Sequence, residues 1–250
     1  MSVTAIVPTL NEEDNILDCL ASVAWAERRV VFDCYSTDRT VKLARDAGAE
    51  VLRHPFENFA QFHNAAMEQV VAEWILFVDA DERATPELAA EIQSIVAENR
   101  DEVLWWIPRH NYIFGRLTKC AGWYPDYQAR LLRRGHVHWQ RPVHEIAVAD
   151  GPEGHLKNPL IHYNYADLAE FRARQERYNK IDVQILFEQG VQPQAHTPYT
   201  QFLRHLWWRF VTLRGLGEGF HGLRLSVLMA TYEMKKYRRL ARMWRGALTA

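Results

Sequence analysis

Two carboxylates one residue apart follow a strongly apolar segment of the sequence. The segment reads Trp74-Ile-Leu-Phe-Val-Asp79-Ala-Asp81-Glu82, so an apolar run stops abruptly at a cluster of acids. Carboxylates held this close repel each other, and a hard cation such as Mg²⁺ or Mn²⁺ compensates them while sharing its coordination with substrate phosphates. A structural role is the alternative, because Asp81 or Glu82 can instead begin the helix predicted at Pro86.

Two earlier segments also pass from an apolar strand into polar residues. They read Ile6-Val-Pro8-Thr9-Leu-Asn11-Glu12 and Val31-Phe-Asp33-Cys-Tyr-Ser36-Thr-Asp38-Arg-Thr40. Capping of the helices that follow accounts for part of this polarity. An aspartate at a strand end can also accept hydrogen bonds from a base edge or a ribose. Because ligands of parallel α/β sheets bind beyond the carboxyl ends of the strands, the three segments predict one ligand site.

The motifs V-P-x-x-N-E, D-x-x-S-T-D-x-T and D-A-D, in this order, resemble those of the inverting glycosyltransferases of family 2, which have the GT-A fold. The resemblance continues through Arg109–Gly115, Gly122–Asp126, Arg130–Leu132 and Val143–Glu145, and it covers about the first 165 residues. Within the family the sequence is similar to the branch of the lipopolysaccharide inner-core β-1,4-glucosyltransferases. The resemblance implies a UDP-sugar donor, with UDP-glucose favoured by the branch, and a glycan or glycolipid acceptor.

The resemblance also implies roles for individual residues. Thr9, Glu12 and Asp33 would contact the uridine, Asp79 the ribose or diphosphate, and Asp81 the Mg²⁺ or Mn²⁺ ion, with Asp79 as its second candidate ligand. His63 stands where the family more often has Arg or Lys, which weakens the case for a phosphate contact from it. The full set implied for the nucleotide sugar is Pro8, Thr9, Asn11, Glu12, Asp33, Ser36, Asp38, Gln61, Asn64, Asp79, Ala80 and Arg130.

The reaction implied by the family is a direct displacement at the anomeric carbon, in which a carboxylate removes the proton of the acceptor hydroxyl. Two carboxylates are candidates for this base, Glu145 and Asp126. Glu145 is favoured because the acceptor-side base of this branch lies at a strand end after the D-A-D half, and Asp126 would then bind the acceptor or donor sugar. The alternative for Glu145 is an ion pair with Arg141 or Arg130. Arg130 itself faces the diphosphate or lies on a solvated strand.

Other chemistries are less well supported. His136, His138 and His144 form an alternative metal set, but no acid or cysteine stands at a tight interval to complete a zinc site. The missing G-x-G-x-x-G and G-x-x-x-x-G-K-[ST] motifs disfavour dehydrogenases and phosphate-loop enzymes. A nucleotidyltransferase remains an alternative, although residues 8–15 lack the glycine-rich loop such enzymes usually have. A non-catalytic sugar-binding protein on the same fold is a second alternative.

The order of elements predicts the fold that would position these residues. Four strand–helix units over residues 3–97 predict a parallel sheet covered on both faces, and strands over 103–148 extend it into a mixed sheet. Residues 168–188, 199–213 and 222–243 have helical periodicity. We therefore expect an α/β protein of GT-A type, Rossmann-like, with a catalytic domain over 1–165 and a helical C-terminal extension over 166–250.

Charge and cysteine content point to the cellular setting. With 30 basic and 31 acidic residues, the whole surface is not built for nucleic acid, and the three separated cysteines suit a reducing compartment. The start of the sequence reads as a strand rather than a signal peptide, and no apolar stretch predicts a membrane span. We expect a cytoplasmic protein at the inner face of the cell membrane.

The C-terminal region predicts peripheral contact with that membrane. Residues 201–250 hold 10 basic and 2 acidic side chains. An apolar stripe of Phe202, Leu206, Phe210 and Leu213, with Trp207 and Trp208 beside it, is typical of helices that lie on a lipid surface. The alternative is that the stripe packs on the sheet domain or on a second subunit of a homo-oligomer.

Overall fold

The computed structural model describes residues 2–141 and 145–248. By its internal contacts the chain divides into two compact units, one of Met1–His110 with Asp126–Tyr163 and the other of Asn111–Pro125 with Asn164–Ala250. The segment Asn111–Pro125 therefore groups with the C-terminal helices, which the order of elements along the sequence does not indicate.

The first unit begins with four strand–helix units, as predicted. Their bounds are β1 Val3–Thr9, α1 Ile16–Ser22, β2 Arg28–Asp33, α2 Thr40–Asp46, β3 Glu50–Arg53, α3 Phe59–Gln69, β4 Trp74–Phe77 and, after the short strand β5 Glu82–Ala84, α4 Pro86–Glu98. The sequence predicts the first helix from Glu12, whereas α1 begins at Ile16. Residues 11–15 instead form the loop after β1, in which Asn11 has a positive φ of 56° and the Glu12 amide donates to the Thr40 side chain.

The remaining strands complete a mixed sheet. They are β6 Leu104–Ile113, β7 Arg116–Leu117, β8 Tyr127–Arg133, β9 Val137–Gln140, β10 Ile146–Ala149, β11 Glu153–His155 and β12 Leu160–Tyr165. The strand order is β3-β2-β1-β4-β8-β6-β12-β5, with β1 to β4 parallel and β8 antiparallel to both of its neighbours. Strands β9 and β10 form a separate hairpin. The mixed sheet confirms the predicted fold class, while β5, β7, β11 and β12 were not predicted.

Alternating residues of the strands build a core on each face of the sheet. Ala5 and Val7 of β1 pack with α1 and α4, whereas Ile6 between them packs with α3. This alternation is the two-residue repeat of a strand buried on both sides, which fixes the register. The carboxyl ends of β1, β2 and β4 are thereby held at one edge.

The second unit is mainly helical. Its elements are α5 Leu168–Glu188, α6 Thr197–Trp207, a π-helical turn Trp208–Thr212, a 3₁₀ turn Gly215–Glu218 and α7 Gly219–Leu248, and β7 pairs with the last residues of β6. Phe171, Leu225 and Tyr232 pack with Ile113 and Tyr165 in its core. The predicted helix over 168–188 is confirmed. Among the described residues, no helix has the length and apolar character needed to cross a bilayer.

Candidate active site

Asp33 lies at the end of β2, completely buried, and its carboxylate is fixed by neighbouring groups. The Thr9 hydroxyl donates to it at 3.4 Å, and the Ser36 amide donates to its two oxygens at 3.3 and 3.1 Å. Arg53 Nε lies 3.4 Å from Asp33 Oδ2. These donors hold the buried carboxylate in a fixed orientation. The predicted pair Thr9 and Asp33 is therefore brought together.

Asn11 and Ser36 join the loop after β1 to the loop after β2. The Asn11 amide donates to Ser36 Oγ at 2.9 Å, and Asn11 Oδ1 accepts from the Thr37 amide at 2.8 Å. Asn11 and Tyr35 both have positive φ, a conformation that asparagine tolerates better than most residues. These two predicted site residues thus shape the loops, and their contact with a nucleotide stays a prediction.

Asp38 makes a second connection between the same loops. Its carboxylate accepts from the Thr40 hydroxyl at 2.5 Å, the Thr40 amide at 2.9 Å and the Glu13 amide at 3.1 Å. Burial opposes ionisation, but these hydrogen bonds outweigh it and hold the pKa of Asp38 below its usual value. In the loop after β1, the carboxylate of Glu12, another predicted site residue, accepts from Asn15 Nδ2 at 2.9 Å. Asp38 is therefore a structural anchor of the predicted nucleotide site.

Asp79 is bound by a buried arginine. Arg130 of β8, only 5% exposed, donates through both Nη atoms to the two oxygens of Asp79, and through Nη2 to Glu82 Oε1 at 2.8 Å. Burial opposes the charge of Asp79, yet Arg130 overcomes it and holds the pKa of Asp79 well below its usual range. Arg130 thus lies in the interior rather than on a solvated strand, and its pairing with Glu145 stays an open alternative. Direct donor contacts of Arg130 and Asp79 stay predictions.

A second arginine continues this network to Asp126. Arg109 of β6 approaches Glu82 Oε1 at 3.3 Å and donates to Asp126 Oδ2 through Nε at 2.9 Å, with Nη2 at 2.8 Å from the same oxygen. Gln128 Nε2 donates to Asp126 Oδ1 at 2.8 Å. Glu82 is wholly buried, and its other oxygen accepts from the Asp79 amide at 3.0 Å. Arg109 and Gln128 thus bind both oxygens of Asp126.

Asp81 faces a histidine that the sequence did not indicate. Oδ2 of Asp81 lies 3.4 Å from Nε2 of His162, a buried residue of β12. Strand β12 pairs antiparallel with β5, and this register places His162 opposite Glu82. The Tyr163 amide donates to the Asp81 carbonyl at 3.0 Å, which fixes the two strands at this point.

Asp81 and His162 are suited to hold the Mg²⁺ or Mn²⁺ ion that the resemblance implies. No group of three or more His, Cys, Asp or Glu side chains converges on a metal position within 2–141 and 145–248. A carboxylate and an imidazole supply two ligands, and such ions usually complete their shell with substrate phosphate oxygens and water. The nitrogen donor favours Mn²⁺ over the harder Mg²⁺. The donor set therefore fits, although Asp79, the other predicted ligand, is occupied by Arg130.

Three predicted or discussed residues lie on α3. Gln61 is exposed and lies in the first turn, where its amide donates to the capping Asn58 side chain. Asn64 binds the Trp139 backbone twice, accepting from its amide at 2.8 Å and donating to its carbonyl at 2.9 Å. His63 stacks on Trp139, and burial lowers its pKa to about 4. His63 is therefore neutral at pH 7 and supplies no positive charge to a phosphate.

The last predicted site residues have simpler surroundings. Pro8 lies in β1 opposite Phe32, and Ala80 is buried with its carbonyl accepting from Arg83 Nη1 at 2.7 Å. Glu145 is half-buried just before β10. Its predicted neighbours Val143 and His144 lie outside the described residues, so the proposed V-H-E motif is described only at its glutamate.

The histidines considered for zinc have other partners. His136 Nδ1 lies 2.9 Å from Asp150 Oδ1, and His138 Nε2 lies 2.7 Å from Gln140 Nε2. Both side chains are exposed, and the third member, His144, lies outside the described residues. His136 and His138 therefore contact separate partners at the surface, whereas a zinc site needs its ligands to converge on one point.

The chain is similar to known proteins in sequence and in structure. The profile of the protein family described as "Glycosyl transferase family 2" matches residues 4–148. The chain is 27% identical over 221 residues to the lipopolysaccharide core biosynthesis glycosyltransferase LpsC of Rhizobium meliloti (strain 1021), covering 82% of this chain and 80% of LpsC. It is 26% identical to an uncharacterized glycosyltransferase of Rickettsia bellii (strain RML369-C), covering 96% of this chain and 85% of that relative. Among solved structures, S. aureus TarS 1-349 aligns over 99% of this chain and 92% of its own, with 16% identity and a TM-score of 0.48.

Proposed function

The chain belongs to glycosyltransferase family 2 and has the GT-A fold, and from this premise we propose that it is a metal-dependent, inverting hexosyltransferase. The proposed donor is the UDP-sugar UDP-glucose. The proposed product is a β-glycoside on a cell-envelope glycolipid or polysaccharide. The family match sets aside the nucleotidyltransferase and the non-catalytic alternatives.

The observation that carries the proposal is the pairing of Asp81 with His162 beyond the end of β4. This pair presents a carboxylate and an imidazole at 3.4 Å, while the adjacent Asp79 is neutralised by Arg130. At the same sheet edge, Asp33 offers oriented carboxylate oxygens for a nucleoside. A divalent ion held by Asp81 and His162 would stabilise the charge that develops on the departing diphosphate.

We assign the general base to Glu145. A base must have an oxygen available for the proton of the acceptor hydroxyl. Asp126 has both oxygens engaged by Arg109 and Gln128, which supports a positioning role for it. Glu145 would take the proton as the hydroxyl oxygen bonds to the anomeric carbon and the bond from that carbon to UDP breaks, so that the configuration inverts.

The acceptor is proposed from the similarity to LpsC, whose name places it in lipopolysaccharide core biosynthesis. A lipid-linked core glycan is confined to a membrane, and we therefore propose that the reaction takes place at the cytoplasmic face of the cell membrane. Its product would be a core carrying one further hexose.

The metal assignment is tested by titrating UDP into the protein with and without Mn²⁺. We expect Asp81→Asn and His162→Gln each to weaken UDP binding in Mn²⁺ by about tenfold or more, and to leave binding without metal unchanged. Asp46→Asn, which alters an exposed carboxylate paired with Lys42, is the matched control. Electron paramagnetic resonance of Mn²⁺ gives a readout that needs no turnover. Unchanged Mn²⁺ binding in folded Asp81→Asn would overturn the assignment.

The donor and the linkage need a separate experiment. Radiolabelled UDP-glucose, UDP-galactose and UDP-N-acetylglucosamine are offered with a truncated lipopolysaccharide core, and the product is analysed by NMR. We expect transfer from UDP-glucose with the large anomeric proton coupling of a β-glucoside. Transfer from another donor, or an α-linked product, would contradict the corresponding part of the proposal.

A further inference from the structure

The second unit exposes large apolar side chains where α6 turns back into α7. They recur at four-residue steps along α6 and its π-helical turn, and they continue around the 3₁₀ turn into the start of α7. Trp207 is 66% exposed and Phe220 81%. We call this set the hairpin surface, and it consists of Tyr199, Leu203, Trp207, Trp208, Val211, Leu216, Phe220 and Leu223.

The backbone beneath the hairpin surface is firmly held. Arg209 Nη1 donates to the Ala121 carbonyl at 2.6 Å, and the Ala121 amide donates to the Leu213 carbonyl at 2.8 Å. A side-chain carbon added to Gly215 would lie 2.8 Å from the Arg209 carbonyl oxygen, so the two turns are in close contact. Loose packing therefore does not explain the exposure of these side chains.

The exposed face differs from the one that the sequence indicated. Phe202, Leu206, Phe210 and Leu213 were predicted to meet the membrane, but all four are half-buried in the structure. Trp207 and Trp208, which the sequence placed beside that stripe, are exposed. Tyr199, Leu203, Trp207 and Val211 lie on the neighbouring, exposed side of the helix.

The charge around the hairpin surface is positive. Residues 197–232 contain four arginines and one acid, Glu218. Glu218 Oε1 accepts from the Lys119 amide at 2.6 Å, so it is held by the protein, whereas Arg204 and Arg214 are exposed next to Leu203 and Leu216. Exposed tryptophan and leucine flanked by arginine match the boundary between acyl chains and anionic headgroups.

We propose that the hairpin surface docks the protein on an anionic lipid bilayer. Trp207, Trp208 and Phe220 enter the headgroup boundary, and Arg204 and Arg214 contact the lipid phosphates. A second copy of the chain fits less well, because a two-fold interface would bring the same arginines face to face. The proposal goes beyond the proposed function and its test uses no sugar substrate, so the two can fail separately.

The test is flotation of the full chain with vesicles of phosphatidylglycerol and phosphatidylcholine, compared with phosphatidylcholine alone. We expect binding only to the anionic vesicles, weakened when ionic strength rises from about 0.05 to about 0.5 M. Trp207→Ser with Phe220→Ser should reduce the partition coefficient about tenfold or more. Tyr178→Ser with Ile181→Ser is the matched control, because these residues of α5 are 43% and 40% exposed and should change binding little.

Charge and oligomeric state complete the test. Arg204→Gln with Arg214→Gln should weaken binding to anionic vesicles more than Arg172→Gln with Lys180→Gln, which changes exposed basic residues of α5. Circular dichroism and sedimentation are measured for every variant. The proposal is overturned if the wild-type chain does not bind anionic vesicles at low salt, or if Trp207→Ser with Phe220→Ser binds as well as wild type. It is also overturned if Trp207→Ser with Phe220→Ser converts a dimer to a monomer and leaves vesicle binding unchanged.

Discussion

Replacing Arg130 with methionine tests the buried charge network at the end of β4. Arg130 is 5% exposed and contacts Asp79 and Glu82, and Glu82 is wholly buried. Methionine retains most of the apolar stem but removes the charge and its donors. The variant therefore leaves two carboxylates with much less compensation and opens only a small cavity.

The expected loss of unfolding free energy is about 3 kcal/mol, since breaking a buried ion pair costs about 3–5 kcal/mol. We use the lower end of this range because Arg109 still lies 3.3 Å from Glu82 and half-buried Asp79 can be partly hydrated. Arg28→Met is the matched control. Arg28 pairs with Glu50 at the surface, where both side chains are more than 40% exposed, and such a pair contributes about 0.2–1 kcal/mol.

The loss should also depend on pH. In the wild type the pKa of Asp79 is depressed, so its contribution is present above the ordinary carboxyl pKa and is lost as pH falls through the folded-state value. Without Arg130, burial is left to raise the pKa, and the folded state then binds protons more readily than the unfolded chain. The variant should lose stability as pH rises. Between pH 5 and pH 8 the difference from wild type grows by about 1.4 kcal/mol for each unit by which the folded pKa of Asp79 in the variant exceeds 5.

Urea unfolding followed by circular dichroism at pH 5 and pH 8 measures both effects. Because the chain has two compact units, hydrogen exchange of peptides from β4 and β8 is needed to assign the loss to the first unit. The reasoning is refuted if Arg130→Met is no more destabilising than Arg28→Met, or if its deficit is the same at both pH values.

Three further predictions concern single side chains. Glu145→Gln should lower kcat by about 10²–10⁴ and retain UDP affinity, whereas Asp126→Asn should lose less; the reverse order in a radiolabel assay would exchange their roles. Asn64→Ala removes two hydrogen bonds to the Trp139 backbone and should cost about 1–3 kcal/mol in urea unfolding, and a cost below about 0.5 kcal/mol would contradict this. The His63 pKa of about 4 lies below its ordinary 6.5, so the wild type should lose about 2 kcal/mol between pH 7 and pH 5 as the unfolded chain takes up the proton. His63→Gln should lack this loss, and equal pH slopes would refute the argument.

The first half of the fold was predictable because each element carries its own signal. Strands β1, β2 and β4 contain apolar runs, and each run is followed within two residues by a polar residue, namely Thr9, Asp33 and Asp79. Such runs predict strands buried on both faces, and strand–helix alternation then limits the topology to a parallel sheet. The segments with Thr9, Asp33 and Asp79 were therefore placed at one edge from the sequence alone.

Strand β12 was missed because its evidence is a pairing across the chain. Residues 160–162 pair with the three-residue strand β5, about 80 residues earlier, and no local pattern encodes such a partner. A signal was nevertheless present, since Leu160, His162 and Asn164 are buried at alternate positions. A histidine at alternate positions with Leu160 and Asn164 is the feature from which this site residue could have been found.

Arg130 and the C-terminal stripe show a different limit. Arg130 lies among apolar residues of β8. From the sequence, an arginine at such a position can equally be a surface residue or a buried ion-pair partner. Only the approach of Asp79 and Glu82 from β4 and β5 decides between the two. In α6, apolar residues occupy more than one face, so periodicity identified a helix with exposed apolar surface but not which face packs inward.

The three carboxylates of Asp79, Asp81 and Glu82 have two different kinds of partner. Asp79 and Glu82 are neutralised within the protein by Arg130, and Asp81 faces His162. Because Arg130 binds Asp79 and Glu82, we propose that the ion binds at Asp81 rather than at Asp79. Asp79→Asn should accordingly leave the affinity for Mn²⁺ within about threefold of wild type, whereas Asp81→Asn should lower it about tenfold or more. Mn²⁺ titration followed by paramagnetic resonance distinguishes the two, and equal losses in both variants would mean that Asp79 leaves Arg130 to bind the ion directly.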